Sequence, residues 1–157
     1  MHIPKVGTPA PIFSLKNQHG ELVSLDTFAG SRNVLLYFYP KAMTPGCTTQ
    51  ACGIRDSFME FEACQTSVLA VSPDSTERLA KFVDKKALPF QLLSDEDHRV
   101  TESYGAWGLK QFMGREYEGV LRYSFIIDKQ GRIAHSMNKV KTKSHHQDTL
   151  RWITENL

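Results

Sequence analysis

Val34-Leu35-Leu36-Tyr37-Phe38-Tyr39-Pro40, continued by Lys41-Ala42-Met43-Thr44-Pro45-Gly46-Cys47-Thr48-Thr49-Gln50-Ala51-Cys52, is the stretch on which the architecture turns. Its first six residues are apolar and partly aromatic, too few for a helix, and bounded by Gly30-Ser31 and Pro40. They are expected to form a buried central strand. Beyond the loop, Ala51, Ile54, Phe58 and Phe61 recur at three- and four-residue spacings, and a proline stands where a helix begins. One helix is therefore expected over residues 45–64. Cys47 then falls in its first turn, among backbone N–H groups without intrahelical partners and at the positive end of the helix dipole, both of which favour a thiolate over a thiol. In such settings a cysteine pKa can drop from about 8.5 to between ~3.5 and ~7.5. A thiolate can attack a peroxide oxygen, with a sulfenic acid as first product.

Toward the N-terminus, apolar residues flank Asn17-Gln18-His19-Gly20 within residues 12–25, which reads as a small hairpin lying over the core as a lid. Toward the C-terminus the pattern alternates: strand 67–71, helix 75–86, strand 89–93, helix 97–104, strand 122–127. Alternation of this kind implies parallel strands, right-handed crossovers and helices on both sheet faces. Asp128-Lys129-Gln130-Gly131 turns into a strand at 132–137, giving an antiparallel hairpin, and a last helix is expected over 144–156, with Leu150 and Ile153 at helical spacing. Residues 105–119 are weakly patterned and expected to be loop, with Trp107, Phe112 and Met113 forming either an apolar collar over the site or ordinary packing. The result is an α/β fold, a mixed central sheet with helices on both faces and an N-terminal hairpin: the layout of a thioredoxin-like fold.

The 157 residues suit one domain spanning 1–157, and 41% hydrophobic with 23% charged residues is the balance of a soluble globular chain. A net charge of +2 with interspersed signs leaves no footprint for nucleic acid. No stretch approaches the ~18 apolar residues a membrane span needs, and the first eleven residues lack a secretory-type apolar run, so a cytoplasmic location is expected. Three cysteines in a reducing compartment point to a transient disulfide rather than a permanent one. His145 and His146 are adjacent, so they point to different helix faces and make a poor metal pair; they are expected to be exposed polar positions, as are His98 and His135. No metal site is expected.

The spacing of Pro40, Thr44 and Cys47 matches the peroxiredoxin pattern of proline, three residues, threonine or serine, two residues, cysteine. With Cys52 five residues later, the chain resembles the bacterioferritin comigratory protein, or peroxiredoxin Q, subfamily. The similarity extends to Leu93-Ser94-Asp95, Tyr104-Gly105 and Arg122-Tyr123-Ser124-Phe125. The resemblance implies reduction of hydrogen peroxide and organic hydroperoxides, thioredoxin as electron donor, no cofactor and a monomer. It implies that Cys47 is the peroxidatic cysteine, that Thr44 directs its hydroxyl at thiolate and peroxide, and that Pro40 screens the sulfur from water. Thr44 is also a candidate helix cap. Arg122 would match the family's arginine, whose permanently charged guanidinium stabilises the thiolate and orients the peroxide. Cys52 resembles the resolving cysteine. Gln50 stands where many members of the subfamily carry glutamate, and Cys64 has no assigned partner; it is read as a buried small residue.

If Cys47 and Cys52 do bond, helix geometry makes a demand. Residues five apart in an ideal helix have Cα atoms roughly 8.6 Å apart, beyond the ~7 Å a disulfide tolerates. The first turn must then unwind, so reduced and oxidised forms are expected to differ over residues 44–55. Two rival functions share the cysteine chemistry: a thiol–disulfide oxidoreductase, for which the four-residue gap is wrong, and a redox sensor, which would turn over slowly.

Overall fold

The computed structural model describes residues 2–157. The predicted central strand is β3 (Asn33–Phe38), with all six residues buried. Its side chains alternate between two cores: Leu35 and Tyr37 on one face, Val34, Leu36 and Phe38 on the other. Apolar at every position after Asn33, the strand buries both faces, and that is why it sits inside the sheet rather than at an edge.

Numbered in chain order, the strands are β1 (Ser14–Asn17), β2 (Leu22–Ser24), β3, β4 (Thr66–Ser72), β5 (Gln91–Ser94), β6 (Trp107–Phe112), β7 (Arg115–Val120), β8 (Ser124–Ile127) and β9 (Ile133–Met137). The helices are α1 (Pro45–Asp56), α2 (Phe58–Ala63), α3 (Thr76–Lys86), α4 (Arg99–Ser103) and α5 (His145–Asn156). Seven strands form one sheet in the order β2-β1-β5-β4-β3-β8-β9. β3, β4 and β5 are parallel, while β1, β8 and β9 are antiparallel to their neighbours. Because β3, β4 and β5 follow one another in the same direction across the sheet, two right-handed crossovers carry α1–α2 and α3 to the same face. Ile54, Phe61, Leu79 and Phe82 from these helices and Ile153 from α5 share that core with Leu35 and Tyr37. Burying each such side chain contributes about 1.5–3 kcal/mol. The opposite core gathers Phe13, Tyr104 of the α4 end, Ala106 and Val120 around Phe38 and Phe125. The mixed sheet between helices is the thioredoxin-like arrangement expected.

Several expectations need correction. Strand 122–127 is shorter, Ser124–Ile127, and runs antiparallel to β3, because the chain reaches it through an excursion away from the sheet rather than by a helical crossover. That excursion is the segment read as loop. It is a regular hairpin, β6–β7, whose two-residue turn Met113-Gly114 has φ of 51° and 77°. Positive φ at both positions is the pattern of a type I′ turn, which glycine accommodates without strain. The hairpin gives little periodic signal because residues 111–118 are exposed on both faces. The N-terminal hairpin is part of the sheet rather than a lid: β1 pairs with β5 through Lys16↔Ser94 and Asn17↔Leu93. Finally, the helix expected over 45–64 breaks at Ser57, which leaves helical geometry at φ −106°, ψ 12° and separates α1 from α2.

Candidate functional site

α1 begins where β3 ends. Tyr39 N–H donates to Val71 O at 3.0 Å, Pro40 follows, and the chain then turns through residues 41–44 into the helix. This loop is held from the neighbouring strand and helix. Ala42 N–H donates to Asp74 Oδ2 at 2.7 Å, and Ala42 O accepts from Arg78 Nη2 at 2.9 Å. Asp74 also accepts from the Ser72 hydroxyl at 2.8 Å. Arg78 Nε lies 2.9 Å from Asp74 Oδ1, an ion pair by distance although the Nε–H is not aimed at the oxygen. Both backbone groups of one loop residue are thus gripped by a carboxylate and a guanidinium, which fixes the entry angle of α1.

Pro45 occupies the first helical position, where its missing N–H costs nothing. Cys47 lies in the first turn, as the sequence indicates, and is 2% exposed. Thr44 is the residue before the helix but makes no side-chain cap: its hydroxyl donates instead to Lys41 O at 2.8 Å. Of the two roles considered for Thr44, capping is therefore absent here.

Arg122 does not begin a strand; it lies in the link between β7 and β8. Phe38 N–H donates to Tyr123 O at 3.0 Å, which fastens that link to the end of β3. The guanidinium is brought against the first turn of α1: a Cβ added to Gly46 would meet Arg122 Nη2 at 3.0 Å. A side chain at residue 46 would press on the guanidinium and make it give way, so glycine suits this close approach. Tyr37, Tyr39 and Lys110 also lie within electrostatic reach of Cys47. Burial raises the phenol pKa of both tyrosines, so they remain neutral. Burial, then the nearby Arg122 charge, lowers the ammonium pKa of Lys110, while Cys47 opposes. Lys110 belongs to β6, so the hairpin read as loop contributes a cation to the site. Its tip residues Phe112 and Met113 are strongly exposed, and Trp107 stacks on His98 at 3.9 Å, so the three do not form a closed collar.

Gln50 proves to be a structural centre. It is 1% exposed, its Oε1 accepts from Arg122 Nη1 at 3.1 Å, and its Nε2 lies 3.1 Å from His145 Nδ1. His145 Nε2 in turn is 2.7 Å from the Ser124 hydroxyl, and its ring packs edge-on against Tyr37. His145 is fully buried, not an exposed polar position, and burial pushes its pKa down to about 4, so the ring is neutral. His146 is half-buried against Gly53 across the α1–α5 contact. His98 and His135 are also partly covered, by Trp107 and Trp152. The sequence held a signal for His145: it stands four and eight residues before Thr149 and Ile153, on the same buried stripe of α5.

All three cysteines are free, and α1 is continuous through Cys47 and Cys52, the state expected of the reduced form. Cys52 is half-buried. Cys64 is not at the far end of the same helix but at the end of α2, partly covered, with its thiol directed at Glu60 O, 3.2 Å away.

Comparison with known proteins supplies independent information. The model of the AhpC/TSA family matches residues 6–136. Peroxiredoxin Bcp of Escherichia coli strain K12 is 52% identical over 96% of this chain and 96% of its own. Peroxiredoxin Bcp of Bacillus subtilis strain 168 is 44% identical over 96% of each. Among solved structures, peroxidoxin BcpB from Mycobacterium tuberculosis superposes with a TM-score of 0.87 at 29% identity, covering 99% of both chains. The Xanthomonas campestris bacterioferritin comigratory protein, whose structures concern alkyl peroxide reduction, gives 0.88 at 26% identity over 96% of this chain and 98% of its own. No helix among the described residues is long and apolar enough to cross a membrane.

Proposed function

The chain belongs to the AhpC/TSA family and is a thiol-dependent peroxidase, and within that activity we propose that Cys47 is the sulfur that attacks the peroxide. The observation that carries this assignment is the Arg122 guanidinium seated 3.0 Å from the Cβ position of Gly46, beside Cys47 at the start of α1. The Cys47 thiolate attacks one peroxide oxygen: an S–O bond forms, the O–O bond breaks, and the departing alkoxide or hydroxide takes a proton to leave as alcohol or water. Negative charge grows on the leaving oxygen, so donors already aimed there lower the barrier more than they tighten substrate binding. The Cys47 N–H, the Arg122 guanidinium and a reoriented Thr44 hydroxyl are those donors, and Pro40 keeps competing water off the sulfur. Hydrogen peroxide and organic hydroperoxides are both substrates on this reading.

Cys52 then attacks the sulfenic sulfur. An S–S bond replaces the S–O bond, and the hydroxyl leaves with a proton as water. A thioredoxin-type dithiol supplies two electrons to restore both thiols. Since α1 is unbroken between the two residues, the helix start must open for this step, with the Ala42 clamp as its fixed end. The test is peroxide consumption by the reduced protein with a dithiol reductant. Cys47→Ser is expected to abolish it, and Cys52→Ser to stop after one equivalent. Undiminished turnover by Cys47→Ser would refute the assignment.

A further inference from the structure

We infer that His145 is a positioning residue for the peroxidase reaction: it orients the Gln50 amide so that its carbonyl faces Arg122, and thereby holds the guanidinium over the start of α1. The inference rests on the role of Arg122 proposed above. It follows from the donors and acceptors of a chain of groups whose inner members, Gln50, His145 and Ser124, are buried.

A guanidinium carries donors only, so the atom of Gln50 that faces Arg122 Nη1 at 3.1 Å must be the carbonyl oxygen. The amide NH2 then points the other way, and with Gln50 1% exposed it has no solvent to satisfy it. It meets His145 Nδ1 at 3.1 Å. That nitrogen can accept only if it carries no proton, so the proton is on Nε2, which donates to the Ser124 hydroxyl at 2.7 Å. Each group fixes the state of the next. A protonated Nδ1 would face the amide with a donor, turn it over and set NH2 against guanidinium, expelling Arg122 from its seat. Burial is what keeps the ring neutral, with Arg122 and His146 acting in the same direction and Asp148 opposing. The relay draws on three separate elements, α1, β8 and α5, so it also ties the last helix of the chain to the chemistry at the first.

The experiment is a double-mutant cycle on the rate of Cys47 oxidation by hydrogen peroxide, read by rapid mixing, together with the pH profile of Cys47 alkylation. His145→Leu removes the acceptor. It is expected to slow oxidation on the order of 10- to 100-fold, the scale of an ångström-sized misplacement, and to move the alkylation profile to higher pH. His145→Asn, whose Oδ1 can stand in for Nδ1, should restore most of the rate. In an Arg122→Met background, His145→Leu should change nothing further. A His145→Leu protein that reacts at the full rate, a loss that persists undiminished in Arg122→Met, or no recovery with asparagine would overturn the inference. Should His145→Leu not fold, Gln50→Met enters the same cycle with the same expected loss and non-additivity, and additivity there overturns the inference too. An Arg122→Met protein that itself oxidises at the full rate overturns instead the role of Arg122, so the two failures are told apart.

Discussion

Acidification should destabilise this protein through His145 in particular. Its imidazole titrates at about 4 in the folded chain against 6.5 when free, burial being the main cause. Above 6.5 the ring is neutral in both states and contributes no pH dependence. As pH falls below 6.5 the unfolded chain takes up a proton that the folded one refuses until about 4. Stability is lost across that window and the loss levels off below it. At about 1.4 kcal/mol per pH unit, His145 withdraws about 3 kcal/mol, a large share of the ~5–15 kcal/mol that holds a typical domain folded. Carboxylates elsewhere also titrate on the acid side, so the comparison must be with His145→Asn, which keeps them and removes the imidazole. Urea unfolding of both proteins at a series of pH values gives the two stability curves. Wild type should lose about 3 kcal/mol more than the variant between the ends of the window. Parallel curves would refute the claim that His145 is held neutral by burial.

Three substitutions test the packing around the site. Gly46→Ala puts a methyl 3.0 Å from Arg122 Nη2; peroxide oxidation of Cys47 should slow roughly 10-fold or more with little change in melting temperature, and an unchanged rate would count against the seat of Arg122. Gly53→Ala brings a methyl within 2.8 Å of His146 Cε1 in the α1–α5 contact. The overpacking, about 1–3 kcal/mol, should exceed the ~1 kcal/mol that alanine gains in a helix, so thermal melts are expected to fall, and a rise would contradict the tight contact. Asp74→Ala frees Ala42 N–H and unpairs Arg78. A loss of about 1.5–3 kcal/mol should accompany faster proteolysis in residues 40–46, and an unaltered cleavage rate would show that the clamp does not hold the loop.

What could be read from the sequence was what rests on local periodicity. The apolar run of β3, the helix after Pro45 and the place of Cys47 in its first turn all follow from spacing over a few residues, and the structure agrees. What escaped rests on partners far along the chain. β8 reads as any buried strand, and its antiparallel sense depends on the route taken by β6–β7. That hairpin is exposed on both faces over residues 111–118, so most of it lacks the alternation that marks a half-buried strand, and only the Met113-Gly114 turn betrays it. His145 and Gln50 look like ordinary polar residues until the sequence separation of 95 between them is closed by folding. Polar groups in a core are recognised by whom they bond, and the bonding partner is the last thing a linear pattern reveals.

The most direct test of the chemistry is to treat the reduced protein with one equivalent of hydrogen peroxide and map the modified cysteines by mass spectrometry of its peptides. A Cys47–Cys52 disulfide within one chain is expected, replaced by a sulfenic acid on Cys47 in the Cys52→Ser variant. Cys47 left as a thiol while Cys52 or Cys64 is oxidised would contradict the assignment.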